Sequence, residues 1–128
     1  MALFDKLMGN AMEMSADKIN ELIGERLVPG EEVVIGFQLV RDASIFTNKR
    51  LLIVDIQGVS GSKREYKTIP YSKIRYFSTE TSGTFDRDSE IKIYLDGGLT
   101  PTATLSIRDK DLLLSVENTL SQAVLNSN

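Results

Sequence analysis

Histidine and cysteine are both absent from the 128 residues, so reaction chemistry in this chain would have to rest on carboxylates, lysine or tyrosine. The same absence removes disulfides, thiolate metal sites, cysteine nucleophiles and the commonest zinc ligand. Three groups of residues stand out against that background. Asp86, Asp88 and Glu90 share one side of an extended segment and can converge on a hard cation, but they lack the glycine and the repeated oxygen ligands of a calcium loop. Loop solvation and cross-strand pairing account for them. Gly58-Val59-Ser60-Gly61-Ser62-Lys63 looks at first like a phosphate loop. Its glycine spacing differs from the nucleotide-binding pattern, no Ser or Thr follows the lysine, and a strand pattern comes next, so a hairpin turn is expected. Asp55 lies between Val54 and Ile56, where an acid is costly unless it is paired or faces water. A structural hydrogen bond is expected there. These readings assign no catalytic residue, no metal and no cofactor. The chain is expected not to be an enzyme, with a carboxylate-dependent enzyme the remotest alternative.

The net charge of -3 conceals a segregation. Residues 1–32 carry three basic and seven acidic side chains, residues 33–79 eight and three, and residues 80–128 four and eight. A basic middle can face an acidic partner, or the acidic ends of a neighbouring copy, more readily than the overall charge suggests. Within it Lys63, Arg64, Lys67, Lys73 and Arg75 form a candidate site for an anionic ligand. The competing reading is a solvated sheet edge whose lysines deter edge pairing. Nucleic-acid binding is not expected, because aromatics are few and the balance is acidic.

The N-terminus has no basic region followed by an uninterrupted apolar stretch, so no export signal is expected. The longest aliphatic run, Leu51 to Val54, is far short of the roughly 20 residues that cross a bilayer. A soluble, cytoplasmic protein is expected. Asp5, Lys6, Asn10 and Glu13 on the polar side of the N-terminal segment favour packing against protein over a membrane surface.

A chain this long, 41% hydrophobic, can bury one core. Apolar residues recur at helical spacing from Leu3 to Leu27, as one helix or two; Ser15 can cap the second, and Val28-Pro29-Gly30 ends the region. Residues 1–30 are thus expected as a helical extension and 31–128 as the domain proper. The period then becomes that of strands, predicted at Val33 to Val40, Ala43 to Thr47, Arg50 to Ile56, Arg64 to Ile69, Ile74 to about Ser82, Glu90 to Leu95 and Thr102 to Ile107. Asp109 can cap a last helix with Leu112, Leu113, Val116, Leu120 and Val124 on one stripe. Seven antiparallel strands closed by one amphipathic helix make a small mainly-β barrel or sandwich. The first and third strands are apolar on both faces, Val34, Val40, Leu52 and Val54 opposing the core-directed set. The N-terminal helix, a neighbouring subunit, or both must cover that outer side.

Phe46-Thr47-Asn48-Lys49-Arg50-Leu51, Tyr66 to Ile74, and Thr81 to Asp86 leading into Glu90-Ile91-Lys92-Ile93 resemble, at their mutual spacing, the bacterial pleckstrin-homology (PH) domain family. The resemblance runs from about Glu31 through the last helix. It implies a PH-like barrel with an N-terminal helical extension, and assembly into cyclic rings, a pentamer being the size expected. Eukaryotic PH domains that bind phosphoinositides draw basic side chains from the first hairpin, where this chain offers Arg41 beside Asp42. The expected function is a noncatalytic interaction or scaffold module that self-associates. Leu3, Phe4, Leu7, Met8, Val34, Val40, Leu52 and Val54 are its expected contact surface. The alternative is an adaptor for anionic lipid headgroups through the five basic residues.

Overall fold

The computed structural model describes residues 11–39, 42–58, 62–83, 88–95 and 97–127. The alternating segments form two antiparallel sheets. Strands β1 (Met12–Glu13), β2 (Val33–Gln38), β3 (Asp42–Thr47), β4 (Arg50–Gln57) and β5 (Lys63–Pro70) make the first, in sequence order. Strands β6 (Ile74–Glu80), β7 (Ser89–Leu95) and β8 (Ala103–Ile107) make the second. The seven expected strands are all present, and β1 adds a short edge to β2.

At Met12 and Glu13 that edge stands where helical spacing predicts the first stretch of helix, while the second stretch, the one Ser15 can cap, is helical. Met12 pairs with Gln38 and Glu13 with Phe37, and the Met14 amide donates to the Gly36 carbonyl at 2.8 Å. Backbone groups bonded across to β2 are not available for a helical ladder. Helix α1 (Ala16–Ile23) therefore begins only after Ser15, whose hydroxyl accepts from the Lys18 amide at 3.3 Å. A 3-10 turn, Gly24–Arg26, follows it.

Two apolar clusters result. The larger lies between the sheets, around Phe37, Phe46, Leu51, Ile91 and Ile93, and is closed by helix α2 (Lys110–Asn126) through the stripe Leu112, Leu113, Val116, Leu120 and Val124. The smaller lies on the outer face of the first sheet, where Ile19 and Ile23 of α1 cover Ala43, Ile45, Leu52 and Val54. Gly36 permits this approach: a Cβ there would sit 2.9 Å from Ile19 Cδ1. Leu52 and Val54, 1% and 0% exposed, are therefore covered by the chain's own helix. They drop out of the expected contact surface, because apolar side chains already shielded within the chain offer a neighbour nothing to bury.

The cap on α2 is of ordinary strength. Asp109 Oδ1 accepts from the Leu112 amide at 3.0 Å. Asp109→Ala is expected to cost about 1 kcal/mol and to lower the thermal midpoint by about 4 °C, read by circular dichroism.

Candidate functional site

Phe46 to Leu51, the first segment of the resemblance, builds a polar latch between the β3–β4 turn and the segment after α1. Phe46 and Leu51 point into the main core, and Asn48 clamps the approaching chain: its Oδ1 accepts from the Glu32 amide at 2.8 Å and its Nδ2 donates to the Gly30 carbonyl at 3.0 Å. The Glu31 carboxylate, whose side chain is 0% exposed, receives Arg50 Nε at 2.9 Å, Arg50 Nη2 at 3.0 Å, Thr47 Oγ1 at 2.7 Å and the Val28 amide at 3.0 Å. Burial raises its pKa, but these donors and the Arg50 charge outweigh burial and hold it at about 2. Arg50 also donates to the Arg26 carbonyl and to Thr68 Oγ1. Tyr71 donates to the Thr47 carbonyl at 2.7 Å, and burial pushes its phenol well above the ordinary value. Two of the three perturbed groups among the described residues, Glu31 and Tyr71, are thus committed to structural bonds. The sequence reading missed this latch, since Glu31 and Arg50 lie 19 positions apart.

The third is Asp42, pushed up by burial and then by the charge of Asp55. The register places Asp42 opposite Asp55, and Asp55 opposite Glu65. Asp55 accepts from Gln57 Nε2 at 3.0 Å. This row lines a cleft of about 210 Å³ whose other wall comes from β8 and whose floor includes Phe37, Ile53 and Leu105. The signal was present in the sequence: once the turn is set at Asn48-Lys49, antiparallel pairing forces Asp42 and Asp55 face to face.

The five basic residues do not converge. Alternation along β5 sends Lys67 to the side of buried Ile69, and with it Lys63, while Arg64 lies on the opposite side with Tyr66, against α1. Lys67 shares its cleft with Asp42, Asp55 and Glu65. Lys73, in a 3-10 turn, and Arg75 follow the far end of β5, roughly 20 Å of strand away from Arg64. Val34 is 57% exposed, beside a groove of about 600 Å³ between the Thr47–Lys49 turn and the end of α2. Leu3, Phe4, Leu7, Met8 and Val40 lie outside the described residues, as does Asp86. Asp88 pairs with Arg108 at 3.2 Å between the ends of β7 and β8, which fits the cross-strand reading of that acid, while Glu90 lies 3.9 Å from Lys92 of its own strand.

The model of the bacterial PH domain family matches residues 2–124. The chain belongs to the bacterial PH domain family. Its similarity to the uncharacterised protein YjqA of Bacillus subtilis is 40% identity over 121 residues, 94% of this chain and 97% of that one. A crystal structure of a PH-domain protein from Shewanella loihica PV-4 matches with a TM-score of 0.81 at 33% identity, covering 91% of this chain and 98% of the other. One from Shewanella amazonensis SB2B gives 0.71 at 35% identity, covering 95% and 98%. In this bacterial PH domain no helix among the described residues is long and apolar enough to cross a membrane.

Proposed function

We propose that this bacterial PH domain is a noncatalytic interaction module of the cytoplasm that self-associates into a cyclic homo-oligomer, through the apolar N-terminal residues Leu3, Phe4, Leu7 and Met8 together with Val34. The observation that carries the reading is the cover that α1 supplies. Leu52 and Val54 are shielded by Ile19 and Ile23, so the apolar residues upstream of Ala11 are not needed for that task, while Val34 stays exposed. Exposed apolar surface of this kind favours burial against a second chain. The absence of cysteine suits a reducing compartment. Binding of anionic headgroups is the weaker reading: the cations of β5 divide between two faces, and Lys67 has three carboxylates for neighbours.

Absolute mass by size-exclusion chromatography with light scattering tests the proposal on the full chain and on one starting at Ala11. The full chain is expected to run as a discrete multimer, a pentamer if the ring implied by the resemblance forms, and the shortened chain as a monomer. A monomeric full chain at about 100 μM, a concentration at which even weak specific contacts assemble, overturns it.

A further inference from the structure

The inner face of the first sheet carries an arrangement that costs the fold stability. At the end of β3–β5 opposite the Asn48-Lys49 turn, Asp42, Asp55 and Glu65 occupy one cross-strand row, and Ser44, Ile53 and Lys67 the next. Like charges placed directly opposite each other destabilise a sheet. Among the described residues, the donor to this row is the neutral Gln57 amide, and no cation stands within 4.0 Å of it. Among the described residues that line the cleft, Lys67 is the one cation against three carboxylates.

A second observation is independent of the carboxylates. Ser44 is 5% exposed, lines the same cleft, and has no hydrogen-bond partner for its hydroxyl among the described residues. Buried polar groups are nearly always satisfied, so an unpartnered hydroxyl that lines a cleft is a candidate contact for a bound ligand. Carboxylates and a hydroxyl oxygen all accept hydrogen bonds, which sets the chemistry of that partner: a positively charged donor. The floor then restricts it further. Phe37, Ile53 and Leu105 offer carbon surface in place of further oxygen ligands, and the described residues contain no group of three carboxylates placed to hold a metal ion.

We infer that this cleft binds a primary ammonium group on a short aliphatic stem, the ammonium donating to the Asp42–Asp55 pair and to Ser44 Oγ, and the stem lying on Phe37, Ile53 and Leu105. A free alkylamine and the lysine side chain of a protein partner share this chemistry. The negative potential of an anionic membrane surface would repel this acidic cleft, so the site is separate from any headgroup function and from the self-association surface around Val34.

Titration of the isotope-labelled full chain with n-butylammonium chloride, at constant ionic strength and with amide shifts as the readout, tests the inference. Saturable shifts at residues 42–44, 53–55 and 102–105 are expected, with a dissociation constant of about 1–10 mM for so small a ligand. The neutral isostere n-butanol should produce none of them. Asp55→Asn, which relieves the like-charge row and so should fold well, is expected to weaken binding about tenfold, and Ser44→Ala a few-fold. A lysine-containing peptide that binds at least about tenfold tighter than butylammonium identifies a protein-borne lysine, and equal affinity a free amine; acetylating that lysine should abolish binding. Unsaturable shifts, an equal response to n-butanol, or unchanged affinity in a folded Asp55→Asn chain overturns the inference.

Discussion

An Arg50→Ala chain is expected to lose about 3–5 kcal/mol of stability, because it strands a buried carboxylate without its counter-charge. Arg50 delivers two of the four hydrogen bonds that Glu31 receives, and it is the only cation within ion-pair reach of Glu31 among the described residues. The same guanidinium bridges to the Arg26 carbonyl and Thr68, so its loss also loosens the junction between the segment after α1 and β5. A fall in the thermal midpoint of roughly 10–20 °C follows for a domain of this size. Arg50→Lys is expected to recover little of it, since a point-charge ammonium cannot reproduce the two-pronged contact. A midpoint within a few degrees of the parent chain would show that Glu31 is solvated or repaired.

The pH dependence carries the same argument. Glu31 titrates near 2 in the fold, below its ordinary value of 4.5. Its contribution is fully present above the unfolded value and is lost as pH falls from about 5 toward 2, to a total of about 3 kcal/mol. Glu31→Gln should therefore start less stable at neutral pH and show a flatter decline in acid, measured by urea unfolding across that window. An unchanged acid slope would assign the acid sensitivity to other carboxylates.

A chain beginning at Glu31 is expected to fail as an independent domain. Removing α1 deletes Ile19 and Ile23, 5% and 1% exposed, and opens Ile45, Leu52 and Val54, all at 1% or less, to water. Each such side chain contributes about 1.5–3 kcal/mol on burial, and together they equal or exceed the stability of an ordinary domain. The cut also removes the Val28 amide from Glu31, the Arg26 carbonyl from Arg50, and the Arg26 guanidinium stacked 3.7 Å above the Tyr66 ring. Aggregation or a broad, uncooperative unfolding transition is the expected outcome, in contrast to the chain starting at Ala11, which keeps all of these contacts. A soluble product of the Glu31 chain with a sharp transition near that of the full chain would show that α1 is dispensable to the fold.

The local sequence determined most of the architecture. The two-residue alternation of Ile91, Ile93 and Leu95, and of Ala103, Leu105 and Ile107, places core and solvent faces by the geometry of a pleated strand alone. Asp109 and the stripe from Leu112 to Val124 likewise define α2 by a cap and a 3.6-residue period. Within the N-terminal segment the periodicity was misleading at Met12, because a free edge on β2 competes for its backbone and only the assembled sheet presents that edge. Apolarity on both faces at Leu52 and Val54 announced a cover without saying whose; the approach of Ile19 over Gly36 made it the chain's own. The five cations around β5 looked like one cluster along the chain, yet alternation and strand length separate them. Asp42 and Asp55 face each other within one hairpin, so that pair was legible in the sequence, whereas Glu31 with Arg50, and the wall from β8 that makes the acidic row a cleft, exist only once distant segments are packed together. Tertiary structure decided these because such contacts are a property of distances in space, and spacing along a chain constrains such distances only within a helix turn or a single hairpin.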